Sequence, residues 1–221
     1  MELIVGNIAF STWSLRPWLV LKRSGAEFTT REVPLYGPDS RRQLDAVSPT
    51  GKVPLLVVDG ETIWDSLAIS EWCADRFPEG KLWPVDPVAR ALARSVVCEM
   101  HSGFGALRTQ CGMGPDDAGV IHTMVGPDRA PSPQGEAVAN DIRRLVEIFI
   151  QMRGRFGSGD TPWLFGDWSI ADAFFTPVAA RIRHYQIDLA AHGDDGTAAA
   201  YVEALLAQAD FLEWSVMAQG R

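Results

Sequence analysis

The hydrophobic pattern of this chain changes at one proline-rich segment, residues 78–87. Before this segment, short apolar or alternating runs typical of strands alternate along the sequence with stretches in which apolar residues recur at helical spacing. After it, apolar residues recur at helical spacing and no strand pattern is found. We therefore predict an α/β domain over residues 1–77, an exposed linker over residues 78–87 and an all-helical domain over residues 88–221.

The first part follows the predicted order β-α-β-α-β-β-α. Strands are predicted over residues 2–5, 28–34, 53–58 and 61–64, and helices over residues 14–24, 38–47 and 66–77. An Asp-Gly turn at residues 59–60 joins the last two strands, so they must pair antiparallel. Because helical crossovers join parallel strands, we predict a mixed four-stranded sheet with one antiparallel pair beside the parallel crossovers.

The second part contains four long helical patterns. They cover residues 88–107, 134–156, 170–182 and 197–214. The stretch Gly112–Pro133 between the first two is rich in Gly, Pro and Asp and is predicted to be an irregular loop. Loops of this length are often functional, and the role of this one stays open.

Composition excludes several classes of protein. The 221 residues are 47% hydrophobic, which excludes a disordered chain. The chain has 28 acidic and 20 basic residues, and this net negative charge makes nucleic acid an unfavourable partner. The three cysteines form no C-x-x-C pair, so we predict neither a metal site nor a disulfide, and a cytoplasmic location. Apolar runs stay below about 18 residues, so no membrane partner is expected.

Four short motifs carry a family resemblance. They are Ser11–Arg16 after the first strand, Lys52–Pro54 at the third strand, Asp65-Ser66 at the third helix and Ser169–Asp172 in the helical part. In this order and spacing they resemble the cytosolic glutathione transferases, over essentially the whole chain. The closest pattern is that of the bacterial serine-type enzymes similar to the zeta class. That class reads Ser-Ser-Cys-Ser-Trp-Arg where this chain reads Ser-Thr-Trp-Ser-Leu-Arg, so Trp13 is the main departure.

The resemblance implies a thioredoxin-like domain that binds glutathione, followed by the helical domain. It implies that glutathione is the co-substrate, that no metal is needed, and that the protein is a homodimer with a role in detoxification. The Ser169–Asp172 motif also reads as a capping box, and Asp172 is expected to be a buried structural carboxylate.

Ser11 and Ser14 are the candidate catalytic residues. Unpaired N–H groups and the positive end of the first helix favour an anion, and a hydroxyl that donates to sulfur favours the thiolate over the thiol. Ser11 matches the first serine of the motif and is predicted to act on sulfur. Ser14 is predicted to be the N-cap of the helix, which would put Pro17 in the first turn, but the choice between the two serines stays open.

The resemblance assigns glutathione binding to eight residues: Ser11, Thr12, Trp13, Lys52, Val53, Pro54, Asp65 and Ser66. It implies a cis peptide bond at Val53-Pro54, which would turn the Val53 backbone toward an extended peptide. Lys52 either meets the glycyl carboxylate or is simply solvated. Asp65 and Ser66 together match the ammonium and carboxylate of a γ-glutamyl group, although an N-cap would look the same in sequence.

The predicted electrophile pocket contains Phe10, Trp13, His101, Phe104 and Arg108, the last three by helical spacing on one face. We predict conjugation of reduced glutathione to a small apolar electrophile. Two alternatives stay open. One is glutathione-dependent isomerisation of a dicarbonyl acid, as in maleylacetoacetate isomerases, which a basic residue such as Arg108 facing the sulfur would favour. The other is a non-catalytic glutathione-binding module. Residues 10–18 contain no cysteine, which disfavours disulfide exchange.

Overall fold

The computed structural model describes residues 1–126, residue 128 and residues 135–219. The first part holds four strands and three helices. They are β1 (Glu2–Val5), α1 (Thr12–Ser24), β2 (Thr29–Glu32), α2 (Ser40–Asp45), β3 (Leu55–Val58), β4 (Glu61–Ile63) and α3 (Ser66–Arg76). This is the predicted order, with strand and helix ends shortened by one or two residues at several positions.

The four strands form one mixed sheet in the order β2-β1-β3-β4. β1 runs parallel to β2, and β3 runs antiparallel to β4 across the Asp59-Gly60 turn, as predicted. β1 also pairs antiparallel with β3, so the expectation of a single antiparallel pair was wrong. The apolar β-branched residues of β1 explain its central place, since three of its four residues are buried.

Helix α1 begins two residues before the predicted start. The N–H groups of Ser14 and Leu15 both donate to the Ser11 carbonyl, at 3.1 and 3.2 Å, so Ser11 is the N-cap residue. The predictions that Ser14 caps the helix and that Pro17 lies in its first turn were therefore wrong, because Pro17 lies inside α1. The helix ends at Ser24, and the next residue, Gly25, has a left-handed φ of 76° that suits glycine.

The second part is helical, with one small addition. Its elements are α4 (Pro87–Ser102), α5 (Gly105–Gln110), β5 (Gly114–Pro115), β6 (Ile121–His122), α6 (Glu136–Phe156), α7 (Ile170–His184), α8 (Thr197–Ala207) and α9 (Ala209–Gln219). The two-residue strands β5 and β6 pair antiparallel inside the stretch predicted to be irregular. The predicted start of the second long helix, Gln134, lies outside the described residues.

Two predicted helices are each broken in two. The pattern over 88–107 breaks at Gly103, and Phe104 adopts a left-handed conformation with φ of 58°. The Arg108 guanidinium bonds the carbonyls of Met100 and Gly103, which satisfies acceptors at the end of α4. The pattern over 197–214 breaks at Gln208, whose buried side chain accepts a hydrogen bond from the Trp168 indole at 3.0 Å.

Helix α7 forms the centre of the core, with 14 of its 15 residues buried. It packs against α1, α4 and α8. At its start, Asp172 is fully buried and accepts hydrogen bonds from the Ser169 and Leu164 N–H groups and the Tyr201 hydroxyl, at 2.7, 3.1 and 2.8 Å. Burial raises the pKa of Asp172 above its ordinary value. The expected structural role of this carboxylate thus has a physical basis.

The C-terminal helix packs against the first part of the chain. The Trp214 indole donates to the Ile8 carbonyl at 2.9 Å, and its ring meets Trp18 edge to face. The domain limits at residues 77 and 88 stay predictions. Within the described residues, no helix combines the length and the apolar content needed to cross a membrane.

Candidate active site

A large cavity opens where α1, the segment before β3 and the start of α3 meet. Its volume is about 610 Å³. Seven of the eight residues predicted to bind glutathione line it, and Thr12 is the one that does not. The seven are Ser11, Trp13, Lys52, Val53, Pro54, Asp65 and Ser66. The other lining residues are Leu35, Leu44, Thr50, Gly51, Trp64 and His101.

A smaller cavity of about 250 Å³ adjoins the larger one. The two cavities share Ser11, Trp13 and Leu35 in their walls. The remaining lining residues of the smaller cavity are Phe10, Thr12, Tyr36, Arg108, Gly112, Met113 and Arg181. Ser11 therefore lies where two cavities meet, which is the position that a group acting between two bound molecules needs.

The hydroxyl groups of Ser11 and Ser14 are in contact, with 2.8 Å between the two oxygens. Ser11 makes no capping hydrogen bond with its side chain, although it occupies the N-cap position. Ser14 is fully buried and accepts a hydrogen bond from the Gly6 N–H at 3.0 Å. Of the two candidate catalytic serines, only Ser11 lines the cavities described above.

Asp65 has two roles in the structure. One oxygen caps α3 by accepting the Leu67 N–H at 2.9 Å, and the other lies 3.1 Å from His101 Nε2. The next residue, Ser66, is fully buried, and its hydroxyl has no hydrogen-bond partner among the described residues. A buried hydroxyl without a partner costs free energy unless a ligand satisfies it, so this end of the larger cavity suits a polar ligand.

The Lys52–Pro54 segment forms the opposite side of the larger cavity. The Ser48 hydroxyl holds this segment by accepting the Lys52 N–H at 3.0 Å and donating to the Lys52 carbonyl at 2.7 Å. The Val53-Pro54 peptide bond is cis, as the family resemblance implied. The Lys52 side chain is exposed and can reach an anion at the mouth of the cavity.

Trp13 lies in a cluster of arginine side chains. The Arg16 and Arg108 guanidinium groups lie over its ring, 4.2 and 4.9 Å from the centroid. His101 meets the same ring edge to face at 5.3 Å. The sequence placed Trp13 in the predicted electrophile pocket, and in the structure its ring is in contact with two cations.

Positive charge is concentrated around the smaller cavity. Burial lowers the pKa of Arg16 well below its ordinary value, and the charges of Arg108 and Arg181 lower it further. Burial also lowers the pKa of Arg181, to about 10, with a further contribution from Arg108. Within the part of the chain that the structure describes, none of these three arginines has a carboxylate within 4.0 Å. The cluster therefore favours an anion beside Trp13.

The structure separates the three residues predicted to share one helix face. His101 lines the larger cavity beside Asp65, and Arg108 lines the smaller one. Phe104 is 6% exposed and belongs to the hydrophobic core, and it lines neither cavity. The break at Gly103 is the reason, because residues 101 and 108 lie on two different helices.

Sequence reasoning missed Arg181, Arg16 and Tyr36. Arg181 and Arg16 each interrupt an apolar helical run, and a charged residue in such a run was the available signal. Tyr36 lies in a loop, where its ring contacts Phe10 at 5.6 Å, and no pattern distinguishes it. None of the three cysteines lines the two cavities, and burial raises the pKa of Cys73 to about 12.

Comparisons with known proteins find similarity to glutathione transferases and to maleylacetoacetate isomerases. Residues 10–76 match the family model of the glutathione S-transferase N-terminal domain. The chain is 27% identical over 181 residues to maleylacetoacetate isomerase of Rattus norvegicus, covering 80% of this chain and 76% of the relative. It is 27% identical over 192 residues to glutathione S-transferase 1 of Dianthus caryophyllus, covering 86% and 81%.

A solved structure aligns along the whole chain. The crystal structure of a glutathione transferase homologue from Burkholderia, with bound glutathione, is 25% identical, with a TM-score of 0.71. The alignment covers 100% of this chain and 98% of that one. The similarity therefore includes both the sheet and the helical part.

Proposed function

We propose that the chain is a glutathione transferase similar to the zeta class, and that it isomerises a dicarbonyl acid with the thiolate of bound glutathione. One observation carries the choice of substrate class. Two arginines, Arg108 and Arg181, line the smaller cavity beside Ser11, and no carboxylate of the described residues pairs with them. A substrate that carries a carboxylate would supply the missing anion.

The larger cavity fits glutathione as a charged tripeptide. Asp65 would accept the γ-glutamyl ammonium, and the unpartnered Ser66 hydroxyl would donate to the neighbouring carboxylate. The Val53 backbone would pair with the cysteinyl residue, and Lys52 would meet the glycyl carboxylate. These contacts direct the sulfur toward Ser11, where the two cavities meet.

Ser11 would act on that sulfur. A cysteine-like thiol has an ordinary pKa of about 8.5, so at neutral pH most of it is protonated and only the thiolate is a good nucleophile. The Ser11 hydroxyl and the N-terminal end of α1 both favour the charged form. Each unit by which the pKa falls corresponds to about 1.4 kcal/mol of preference for the thiolate.

The reaction needs no net change of oxidation state. The thiolate adds to the carbon–carbon double bond of the acid, and the electron pair moves onto the conjugated carbonyl oxygen as an enolate. Rotation then takes place about the bond that has become single. The enolate collapses, the double bond forms again in the trans geometry, and the thiolate leaves unchanged. Arg108 and Arg181 would hold the carboxylate and stabilise the enolate charge.

Conjugation to a small apolar electrophile is the second candidate. Phe10, Tyr36 and Met113 give the smaller cavity an apolar side that would bind an aryl ring. Conjugation uses the same thiolate and the same first contact with Ser11. The two reactions differ in whether the substrate needs a cation, and this difference can be measured. The homodimer and the cytoplasmic location implied by the resemblance stay predictions.

The test compares two substrates in one variant. The protein is assayed with glutathione and either a cis dicarbonyl acid or an uncharged aryl halide, before and after Arg108→Met. Loss of a hydrogen bond to a charged group, worth about 1.5–3 kcal/mol, should lower kcat/KM for the acid about 10- to 100-fold. The aryl halide should change far less, and the ratio of the two activities cancels any loss of folded protein. Arg155→Met, at an exposed arginine on α6, is the control for loss of charge.

Three outcomes decide among the candidates. An equal fall in both activities would contradict the role of Arg108 in binding the acid. Conjugation in the absence of isomerisation would favour the second candidate. Glutathione binding with neither activity would indicate a non-catalytic module.

A further inference from the structure

Ser14 has a position that neither helix capping nor ligand contact explains. Its side chain is fully buried and lies outside the walls of both cavities. It contacts only two polar groups among the described residues, the Gly6 N–H at 3.0 Å and the Ser11 hydroxyl at 2.8 Å. It therefore joins the end of the sheet to the residue at the meeting point of the cavities.

The number of available protons fixes the direction of these hydrogen bonds. A serine hydroxyl has one proton and two lone pairs. The Gly6 N–H can only donate, so it occupies a lone pair of Ser14. If Ser11 also donated to Ser14, the Ser14 proton would be buried with no acceptor in the described structure, which is costly. The favoured arrangement has Ser14 donating to Ser11.

This arrangement leaves the Ser11 proton for the cavity. The Ser11 oxygen then accepts from Ser14, and its own O–H has no other acceptor among the described residues. Each hydrogen bond in such a chain polarises the next one, so the Ser11 O–H becomes a better donor. Leu35 packs closely against Gly6, since a Cβ atom at residue 6 would lie 2.6 Å from Leu35 Cδ1.

We infer that Ser14 is a positioning residue that turns the Ser11 hydroxyl toward the glutathione sulfur through the chain Gly6 N–H, Ser14 O–H, Ser11 O–H. The inference rests on the proposed function, since it assumes that a thiolate lies beside Ser11. It also replaces the capping role that the sequence suggested for Ser14. Ser14 touches no substrate and acts only through Ser11.

The experiment measures the pKa of the bound glutathione thiol by its thiolate absorbance in the ultraviolet as a function of pH. In Ser14→Ala, Ser11 can turn its proton away from the sulfur, and we expect the pKa to rise by about one unit, which is a tenfold fall in the ratio of thiolate to thiol at a given pH. The dissociation constant for glutathione at acidic pH, measured by calorimetry, should change less than about threefold, because Ser14 does not touch the ligand.

Ser24→Ala is the matched control. Ser24 lies at the other end of α1, is buried, accepts the Ala26 N–H and donates to the Leu21 carbonyl. Its removal costs similar backbone hydrogen bonds without touching Ser11, so the pKa of the bound thiol should stay at the wild-type value. A rise of the same size in Ser24→Ala would overturn the inference, since it would trace the effect to helix stability.

A double variant tests whether Ser14 acts through Ser11. In a Ser11→Ala background, Ser14→Ala should cause no further rise in the pKa of the bound thiol, and an additive rise would overturn the inference. If Ser14→Ala does not fold, Ser14→Cys keeps a similar volume with a weaker donor, and kcat/KM as a function of pH should show the same upward shift. An unchanged profile in folded Ser14→Cys would also overturn it.

Failure of the inference and failure of the proposed function give different results. If the wild-type chain binds no glutathione, or binds it with the pKa of the free thiol, the proposed function is wrong. If the wild-type chain lowers the pKa of the thiol and folded Ser14→Ala lowers it equally, only the role of Ser14 is wrong.

Discussion

Substitution of Asp65 by Asn separates two contributions of one carboxylate. In the structure, one carboxylate oxygen of Asp65 caps α3, and the other oxygen lies beside the His101 ring. Asparagine is as good an N-cap as aspartate, so Asp65→Asn keeps the cap and removes the charge. Asp65→Ala removes both.

The expected magnitudes differ for binding and for stability. Loss of a charge-assisted hydrogen bond to the γ-glutamyl ammonium, worth about 1.5–3 kcal/mol, weakens the dissociation constant about 10- to 100-fold. The Asp65 side chain is 55% exposed, so solvent screens the interaction and we expect the lower end, about tenfold. Loss of the cap in Asp65→Ala should lower the free energy of unfolding by a further amount of about 0.5–2 kcal/mol.

The assays are calorimetric titration with glutathione and urea denaturation, on wild type and both variants. Asp86→Ala is the control, because Asp86 caps α4 by accepting the Ala89 N–H at 2.7 Å and lines neither cavity. This control should lose stability and keep the wild-type affinity. Wild-type affinity in Asp65→Asn would refute the assignment of Asp65 to the ammonium.

Two further predictions concern the framework of the site. Asp172→Asn should lower the free energy of unfolding by about 1–3 kcal/mol in urea denaturation, because an amide NH₂ would leave the Ser169 or Leu164 N–H without an acceptor; an unchanged midpoint would contradict the structural role of Asp172. The second concerns Asp116, whose pKa is lowered chiefly by the hydrogen bond from His122. Because the pKa of Asp116 is lower in the folded state, its ionised carboxylate stabilises the β5–β6 hairpin. This stabilisation is present above the unfolded-state pKa of an aspartate, about 3.9, and is lost as the pH falls through the lower folded pKa. The protection factors of the hairpin amides, which compare exchange with its intrinsic rate at each pH, should therefore fall in that acidic range in wild type and lose this pH dependence in Asp116→Asn, and identical profiles would contradict the pairing.

The strands of the sheet and the order of elements could be predicted because local signals determine them, whereas the antiparallel pairing of β1 with β3 was not predicted. The apolar run of β1 and the Asp59-Gly60 turn each have one structural interpretation. The start of α1 could not be predicted in the same way, because Ser11, Thr12 and Ser14 are all good N-cap residues. The carbonyl of Ser11 decides the start, and its direction depends on how the chain leaves the sheet.

The sequence located most residues that line the larger cavity, but fewer of those that line the smaller one. Motifs located Ser11, Asp65 and Ser66, since a motif keeps its residues together along the chain. The smaller cavity instead brings Arg108 of α5 and Arg181 of α7 together across the fold, and no local pattern links them. The left-handed conformation at Phe104 also broke the helix on which a shared face had been predicted.

The most direct test of the central claim is the pKa of the glutathione thiol bound to the wild-type chain and to Ser11→Ala. The arrangement at the junction of the two cavities predicts a value below about 8.5 in wild type and a return toward that value in Ser11→Ala, with glutathione still bound. A thiol that titrates in the wild-type complex as it does in free glutathione, or a lowered pKa that survives in Ser11→Ala, would contradict the role of Ser11.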